Sequence, residues 1–129
     1  MSQENVELAR RGVGDVQAFW QMLDEHVVFD LRHRPVIDLD RVYVGRDAVI
    51  DASRHYWGTW DNYSLDAEEL IDAGSSVVLI VREHGHGKVS GVPFEDRWAQ
   101  VWTFSRGRII RWELFPDGAT ALAVVGLSE

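Results

Sequence analysis

Asp30 is the first candidate for a chemical role, and it lies near the end of a predicted strand over residues 26–32. Apolar and polar residues alternate in this segment, as they do in a strand with one buried face. A carboxylate inside an apolar pocket has a raised pKa and suits a proton acceptor that works near neutral pH. Alternation also allows the opposite placement, in which Asp30 shares a solvated face with His26 and Arg32. Asp30 is therefore a candidate general base with a structural alternative.

A second group of candidates lies on the long alternating segment of residues 94–105, one face of which carries Asp96, Trp98, Gln100 and Trp102. If that face points inward, the wall is aromatic with two polar groups, which is typical of a site for a small, largely apolar organic molecule. The predicted ligand-binding residues are Trp57, Trp60, Asp96, Trp98, Trp102 and Trp112, with Gln100 among them as a polar group. Core packing for each indole and a solvated position for Asp96 are the alternatives.

His84 and His86 have the spacing of two metal ligands on a strand, because residues i and i+2 point the same way. Glycines at positions 85, 87 and 91 predict instead that this segment is a wet, mobile hairpin end. The sequence contains no cysteine and no glycine-rich phosphate loop that follows a strand. We therefore expect neither a metal nor a cofactor.

Helices account for much of the first half of the predicted structure. Apolar residues at helical spacing over residues 16–23 predict a helix with Asp15 as its N-cap. A short helix over residues 4–11, ended by Gly12, precedes it, and a third is predicted over residues 46–57 with Trp60 on its apolar face. Asp117 could cap a last short helix that runs to residue 125.

Strands dominate the remainder. Besides residues 26–32, the pattern predicts strands over residues 63–72, 77–81, 94–105 and 108–115, the last two joined as a hairpin. Helices followed by a run of strands indicate the α+β class. We expect a strongly curved antiparallel sheet wrapped around the N-terminal helices.

Size and charge limit the classes of partner. The 129 residues fit a single domain over residues 1–129, and 46% are hydrophobic, which excludes a disordered chain. The formal net charge is −8 and the arginines are dispersed, so nucleic-acid binding is not expected. No apolar stretch is long enough to span a membrane, and residues 1–4 lack the features of a signal peptide. These features predict a cytoplasmic protein.

Four strings in the chain carry a family resemblance: SQENVEL at residues 2–8, ELIDAG at 69–74, VWTF at 101–104 and GRIIRW at 107–112, with the tail over residues 121–129 also similar. Together they resemble SnoaL-like proteins of the nuclear-transport-factor-2-like superfamily, and the resemblance covers essentially the whole chain. It implies a cone-shaped α+β fold, in which a bent sheet closes over helices around an apolar cavity.

The resemblance implies a fold more specifically than a function, because the superfamily includes ketosteroid isomerases, polyketide cyclases, epoxide hydrolases, dehydratases and non-enzymes. In the isomerase branch, Asp30 matches the general base and Gln100 the acid that stabilises the oxyanion. The tyrosine of that branch has no counterpart in residues 10–15. The resemblance therefore does not imply steroid isomerisation.

Two functions follow from these observations. One is a cofactor-free isomerase or cyclase, with Asp30 as general base and Gln100 steadying an oxyanion. The other is a non-catalytic ligand-binding or dimerisation module. Members of the superfamily commonly pair through the outer sheet face, which implies a homodimer, and we expect exposed Val101, Ile109 and Phe115 to form its interface.

Overall fold

The computed structural model describes residues 2–127, which form four helices and six strands. No helix among these residues has the length and apolar character needed to cross a membrane. The elements in chain order are α1 (Ser2–Gly14), α2 (Val16–Met22), β1 (Leu23–Asp30), β2 (Val42–Val44), α3 (Arg46–Trp57), β3 (Trp60–Ala73), β4 (Ser76–Gly87), β5 (Pro93–Ser105), β6 (Arg108–Phe115) and α4 (Gly118–Val124).

The break between the first two helices is set locally by Asp15. Its side chain accepts hydrogen bonds from the backbone N–H groups of Gln17 and Ala18 at 2.9 and 3.2 Å, which confirms the predicted N-cap. Helix α1 does not end at Gly12 as expected but continues to Gly14. Gly12 instead allows close packing, since a Cβ there would lie 3.0 Å from Cζ3 of Trp102.

The six strands form one curved sheet in the order β2-β1-β6-β5-β4-β3. All neighbouring pairs are antiparallel except β1 and β6, which are parallel. The α+β class and the curved sheet are thus confirmed. Strand β2 was not predicted, and β3 begins at Trp60, which therefore belongs to a strand rather than to the face of α3.

Strand β4 is longer than the sequence pattern predicted. It continues past Val81 to Gly87, so that His84 and His86 lie within the strand and pair with Glu95 and Pro93 of β5. The expected hairpin end lies only beyond them. Among residues 2–127 no group of three histidine, cysteine, aspartate or glutamate side chains is placed to hold a metal ion.

The two faces of the sheet are covered by different parts of the chain. The inner face packs with α1 and α2 into the main core, whereas α4 covers part of the outer face through Ala121 and Leu122. Val101 and Phe115 lie under this helix, and Ile109 lies in the main core; all three are fully buried. The expectation that they form an exposed dimer interface is therefore wrong.

Removal of the Leu122 side chain tests the role of α4. We expect Leu122→Ala to lower the free energy of unfolding by about 2–3 kcal/mol, because it opens a cavity above the outer sheet face. Val124→Ala on the same helix is the matched control, since Val124 is 53% exposed, and should change stability little. Chemical denaturation followed by circular dichroism measures both, and equal effects would contradict the packing described.

Candidate functional site

A pocket of about 450 Å³ lies on the inner side of the curved sheet. Helices α1–α3 contribute to its wall, as does the segment between β1 and β2. Its surface is mainly apolar, and a large part of it is aromatic: Phe19, Phe29, Tyr56, Trp57, Tyr63, Trp98, Trp102 and Trp112. Such a wall suits an organic molecule with a flat, apolar body.

Five of the predicted site residues line this pocket: Trp57, Trp98, Gln100, Trp102 and Trp112. Strand alternation places the β5 members on the inner face, as the sequence pattern indicated. Their role in ligand binding remains a prediction.

Two predicted ligand-binding residues do not line the pocket. Trp60 packs against Phe94 with ring centroids 4.0 Å apart, and its buried indole N–H has no partner among residues 2–127. Asp96 has a side chain that is 52% exposed and accepts a hydrogen bond from Nη2 of Arg34 at 2.9 Å. Asp96 therefore contacts the pocket lining through Arg34, which does line it.

Asp30 does not lie in the pocket either. Phe29 and Leu31 line it, so alternation turns the intervening side chain of Asp30 away. Its carboxylate accepts hydrogen bonds from Arg32 Nε and Nη2 at 3.0 and 2.7 Å and from Arg111 Nη2 at 2.6 Å. The hydrogen bonds from Arg32 and the charges of both arginines lower the pKa of Asp30 to about 2, despite its burial. The predicted general base is thus an ion-paired structural group.

Gln100 presents a hydrogen-bond donor to the pocket. Its Oε1 accepts hydrogen bonds from Nε1 of Trp102 and Nε1 of Trp112, both at 2.8 Å. An indole N–H can only donate, so the amide oxygen must face the two rings. The Nε2 group is thereby turned the other way; within the described chain it has no hydrogen-bond partner, and it keeps some accessible surface. A ligand oxygen would satisfy it.

Glu83 is the carboxylate that does line the pocket, and its side chain is fully buried. Its Oε2 accepts hydrogen bonds from the hydroxyls of Tyr56 and Tyr63 at 2.8 and 2.6 Å, and its Oε1 accepts one from Trp98 Nε1 at 3.2 Å. Burial, and then the negative charge of Glu83, raise the pKa of both tyrosines, which keeps them protonated as donors.

Arg34 supplies the positive charge nearest to this carboxylate. Its Nη2 lies 3.9 Å from Oε1 of Glu83, too far for a hydrogen bond, and its guanidinium carbon lies 4.0 Å above the Trp98 ring. The pocket therefore combines a free amide donor, a hydrogen-bonded carboxylate and a guanidinium within an apolar wall. These groups are the polar and charged part of an otherwise apolar wall.

The sequence analysis did not identify Glu83, Tyr56, Tyr63 or Arg34 as site residues. One signal was available for Glu83, because it continues the inward series of Val77, Leu79 and Val81 along β4. An acid in such a series must find partners when buried. The three donors to Glu83 come from α3, β3 and β5, and no local sequence pattern predicts that they contact Glu83.

The arginine pairing of Asp30 predicts a specific pH dependence. Because its pKa is about 2 in the folded protein and near its ordinary 3.8 when unfolded, its contribution to stability is complete above about pH 4 and is lost as the pH falls toward 2. We expect Asp30→Asn to lower the free energy of unfolding by about 2 kcal/mol at neutral pH.

The difference in the free energy of unfolding between the unmodified protein and Asp30→Asn should shrink as the pH falls from about 4 toward 2. Denaturant unfolding at a series of pH values measures it, with Asp51→Asn, an exposed position on α3, as the control. A loss that is the same at acidic and neutral pH would contradict the ion-pair assignment.

Comparison with known proteins agrees with this architecture. Bal32a from a soil-derived mobile gene cassette has a TM-score of 0.76 at 19% identity, with 88% of each chain covered. A candidate SnoaL-like polyketide cyclase from Jannaschia sp. CCS1 has a TM-score of 0.74 at 17% identity, covering 95% of this chain and 90% of that one. A protein with a ketosteroid isomerase-like fold from Catenulispora acidiphila DSM 44928, in complex with trimethylamine, has a TM-score of 0.72 at 15% identity, with 94% of this chain and 93% of that one covered.

These structures share the fold at low sequence identity, and no curated protein sequence matches the chain. The family model for the SnoaL-like domain matches residues 8–112, which include α2, α3 and the first five strands, together with the second half of α1 and part of β6. By this match the chain belongs to the SnoaL-like domain family.

Proposed function

We propose that this protein binds a small, largely apolar organic molecule in the aromatic pocket, with a carbonyl-type oxygen of the molecule accepting a hydrogen bond from Gln100 Nε2. The observation that carries the proposal is the orientation of the Gln100 amide, because two indole donors hold its oxygen and leave its N–H group free. This N–H group keeps accessible surface, and a hydrogen bond from it to a ligand acceptor would contribute about 0.5–1.5 kcal/mol net.

The dimensions and composition of the pocket support the same proposal. A volume of about 450 Å³ falls in the range of small-molecule sites, and the wall offers few polar groups. The Catenulispora protein of similar fold holds a small organic molecule, trimethylamine.

A second candidate function is catalysis of a cofactor-independent proton transfer of the isomerase or cyclase type. It is favoured by the Gln100 amide, which could stabilise an oxyanion as negative charge develops on the ligand oxygen. Asp30 does not serve as the base of such a reaction, because it faces away from the pocket and its pKa is about 2. Binding without catalysis, in contrast, requires no general base.

A homodimer remains a prediction of the family resemblance. Its interface would have to use residues other than Val101, Ile109 and Phe115, since these are buried within one chain.

Binding of 1-tetralone, an apolar two-ring ketone, tests the proposed function. In ¹H–¹⁵N spectra we expect it to shift the indole signals of Trp102 and Trp112 saturably. Gln100→Met keeps a weak acceptor for both indoles but has no hydrogen-bond donor, so we expect affinity to fall about tenfold or more. Gln21→Met makes the same change at an exposed site and is the control.

The proposal fails if the ketone causes no saturable shift up to its solubility limit. It fails equally if Gln100→Met binds the ketone as tightly as the unmodified protein.

Hydrogen exchange distinguishes the catalytic from the non-catalytic form. In heavy water, an enzyme of the proposed class should speed deuterium uptake at the carbon beside the carbonyl of 1-tetralone, and Gln100→Met, which has no donor, should reduce that rate about tenfold or more. Asp30→Asn should leave the rate per folded molecule unchanged. Uptake no faster than in protein-free buffer would assign the pocket to binding alone.

A further inference from the structure

The segment between β1 and β2 forms one wall of the pocket as a single layer of chain. Residues 31–41 contain turns but no helix or strand. After the buried Leu31, the half-buried residues of the segment are Arg34, Val36 and Leu39, and all three line the pocket. The residues at positions 35, 37, 38 and 40 are exposed, Ile37 at 89%. Residues 34–40, here called the flap, can therefore move outward without unpacking another layer.

Local hydrogen bonds hold the shape of this segment. The backbone N–H of Leu31 donates to the carbonyl oxygen of Arg41 at 2.8 Å and closes its base. Within the flap, the N–H of Leu39 donates to the carbonyl oxygen of Val36 at 3.2 Å. Segments with local hydrogen bonds and few buried contacts open at a lower free energy than core strands. The flap can consequently open while the sheet stays intact.

One long-range hydrogen bond joins the flap to the sheet. Arg34 Nη2 donates to Oδ2 of Asp96 at 2.9 Å, across 62 positions of sequence. Within residues 2–127 no other hydrogen bond connects the flap to a distant strand. The Arg34 guanidinium also lies 4.0 Å from the centre of the Trp98 ring. These contacts make Arg34 the point at which the flap is fixed to β5.

The Arg34–Asp96 pair lies where the pocket meets solvent. The side chain of Arg34 is 19% exposed and that of Asp96 is 52% exposed. A partly exposed ion pair contributes modestly to stability and is weakened by salt. Such a pair suits a contact that is repeatedly broken and reformed.

We propose that residues 34–40 open and close over the aromatic pocket, and that the Arg34–Asp96 pair is the latch that holds them closed. When the pair breaks, the flap carries Val36 and Leu39 away from the pocket and admits solvent. The movement itself does not depend on a ligand, whereas its effect on ligand entry rests on the proposed function.

Hydrogen exchange of the Trp98 indole N–H tests the movement without a ligand. This group donates to Glu83 at 3.2 Å beside the Arg34 guanidinium, so the flap must open before its proton can exchange. We expect it to exchange faster than the backbone N–H of Val101, which is fully buried in β5 and reports global unfolding. Its rate should depend little on low concentrations of denaturant, because flap opening exposes little surface.

Asp96→Asn tests the latch. We expect it to speed exchange of the Trp98 indole about fivefold, since it removes a partly exposed ion pair from the closed state only. Raising the ionic strength should speed exchange in the unmodified protein and have little effect in Asp96→Asn. Glu95→Gln is the matched control, because this exposed neighbour pairs with Arg82 and does not line the pocket. It should leave the rate unchanged.

The kinetics of 1-tetralone binding test the effect on access. Asp96→Asn should raise the association and dissociation rates together, about fivefold each, and leave Kd nearly unchanged, because the latch is closed in both the free and the bound protein. Exchange broadening of the Trp102 and Trp112 indole signals measures both rates. A changed Kd with unaltered rates would overturn the latch, since Asp96 would then affect binding rather than access.

The outcomes separate this inference from the proposed function. If the Trp98 indole exchanges only at the rate and with the denaturant dependence of Val101, or if Asp96→Asn behaves like Glu95→Gln, the inference is overturned. Saturable, Gln100-dependent ketone binding would leave the proposed function standing in that case. If the ketone does not bind but the exchange rates behave as expected, the proposed function fails and the latched flap stands.

Discussion

The two hydrogen bonds that Gln100 Oε1 accepts determine which hydrogen-bonding group Gln100 presents to the pocket. The indole N–H groups of Trp102 and Trp112 both donate to Gln100 Oε1, and neither can act as an acceptor. The amide is consequently fixed in one of its two orientations, with its own donor toward the apolar space. Every further statement about ligand chemistry depends on this orientation, since a rotated amide would present an acceptor instead.

The two buried carboxylates show how partners decide the role of an acid. Asp30 is paired with Arg32 and Arg111 on the face turned away from the pocket, and these charges keep it ionised far below neutral pH. Glu83 is held by neutral donors in the pocket wall. Asp30 is thus part of an ion-pair network, whereas Glu83 is part of a network of neutral hydrogen-bond donors.

The arrangement of the sheet makes this division possible. Successive residues of a strand point to opposite faces, and the inner face holds the aromatic pocket while α4 covers part of the outer one. The same strand β1 therefore contributes Phe29 to the pocket wall and Asp30 to an ion-pair network. A shift of one residue in register would exchange these roles.

Local patterns predicted much of the fold but only part of the site. The Asp15 cap, the bounds of α3 and the inward face of β5 could be read from short segments, because each depends on neighbours in sequence.

Long-range pairing could not be predicted in this way. Arg111 reaches Asp30 across 81 positions, and Tyr56 reaches Glu83 across 27. Burial of Val101 and Phe115 by α4 likewise depends on where that helix docks. An ion-pair partner or a covering helix changes the structural role of a residue without changing the sequence pattern around it.

The orientation of Gln100 can be measured without any ligand. Scalar couplings across hydrogen bonds, recorded by NMR in the labelled protein, report directly which carbonyl accepts from each N–H group. The account predicts couplings from Nε1 of Trp102 and Nε1 of Trp112 to the side-chain carbonyl carbon of Gln100. Couplings from these indoles to other carbonyl groups, with none to Gln100, would contradict it.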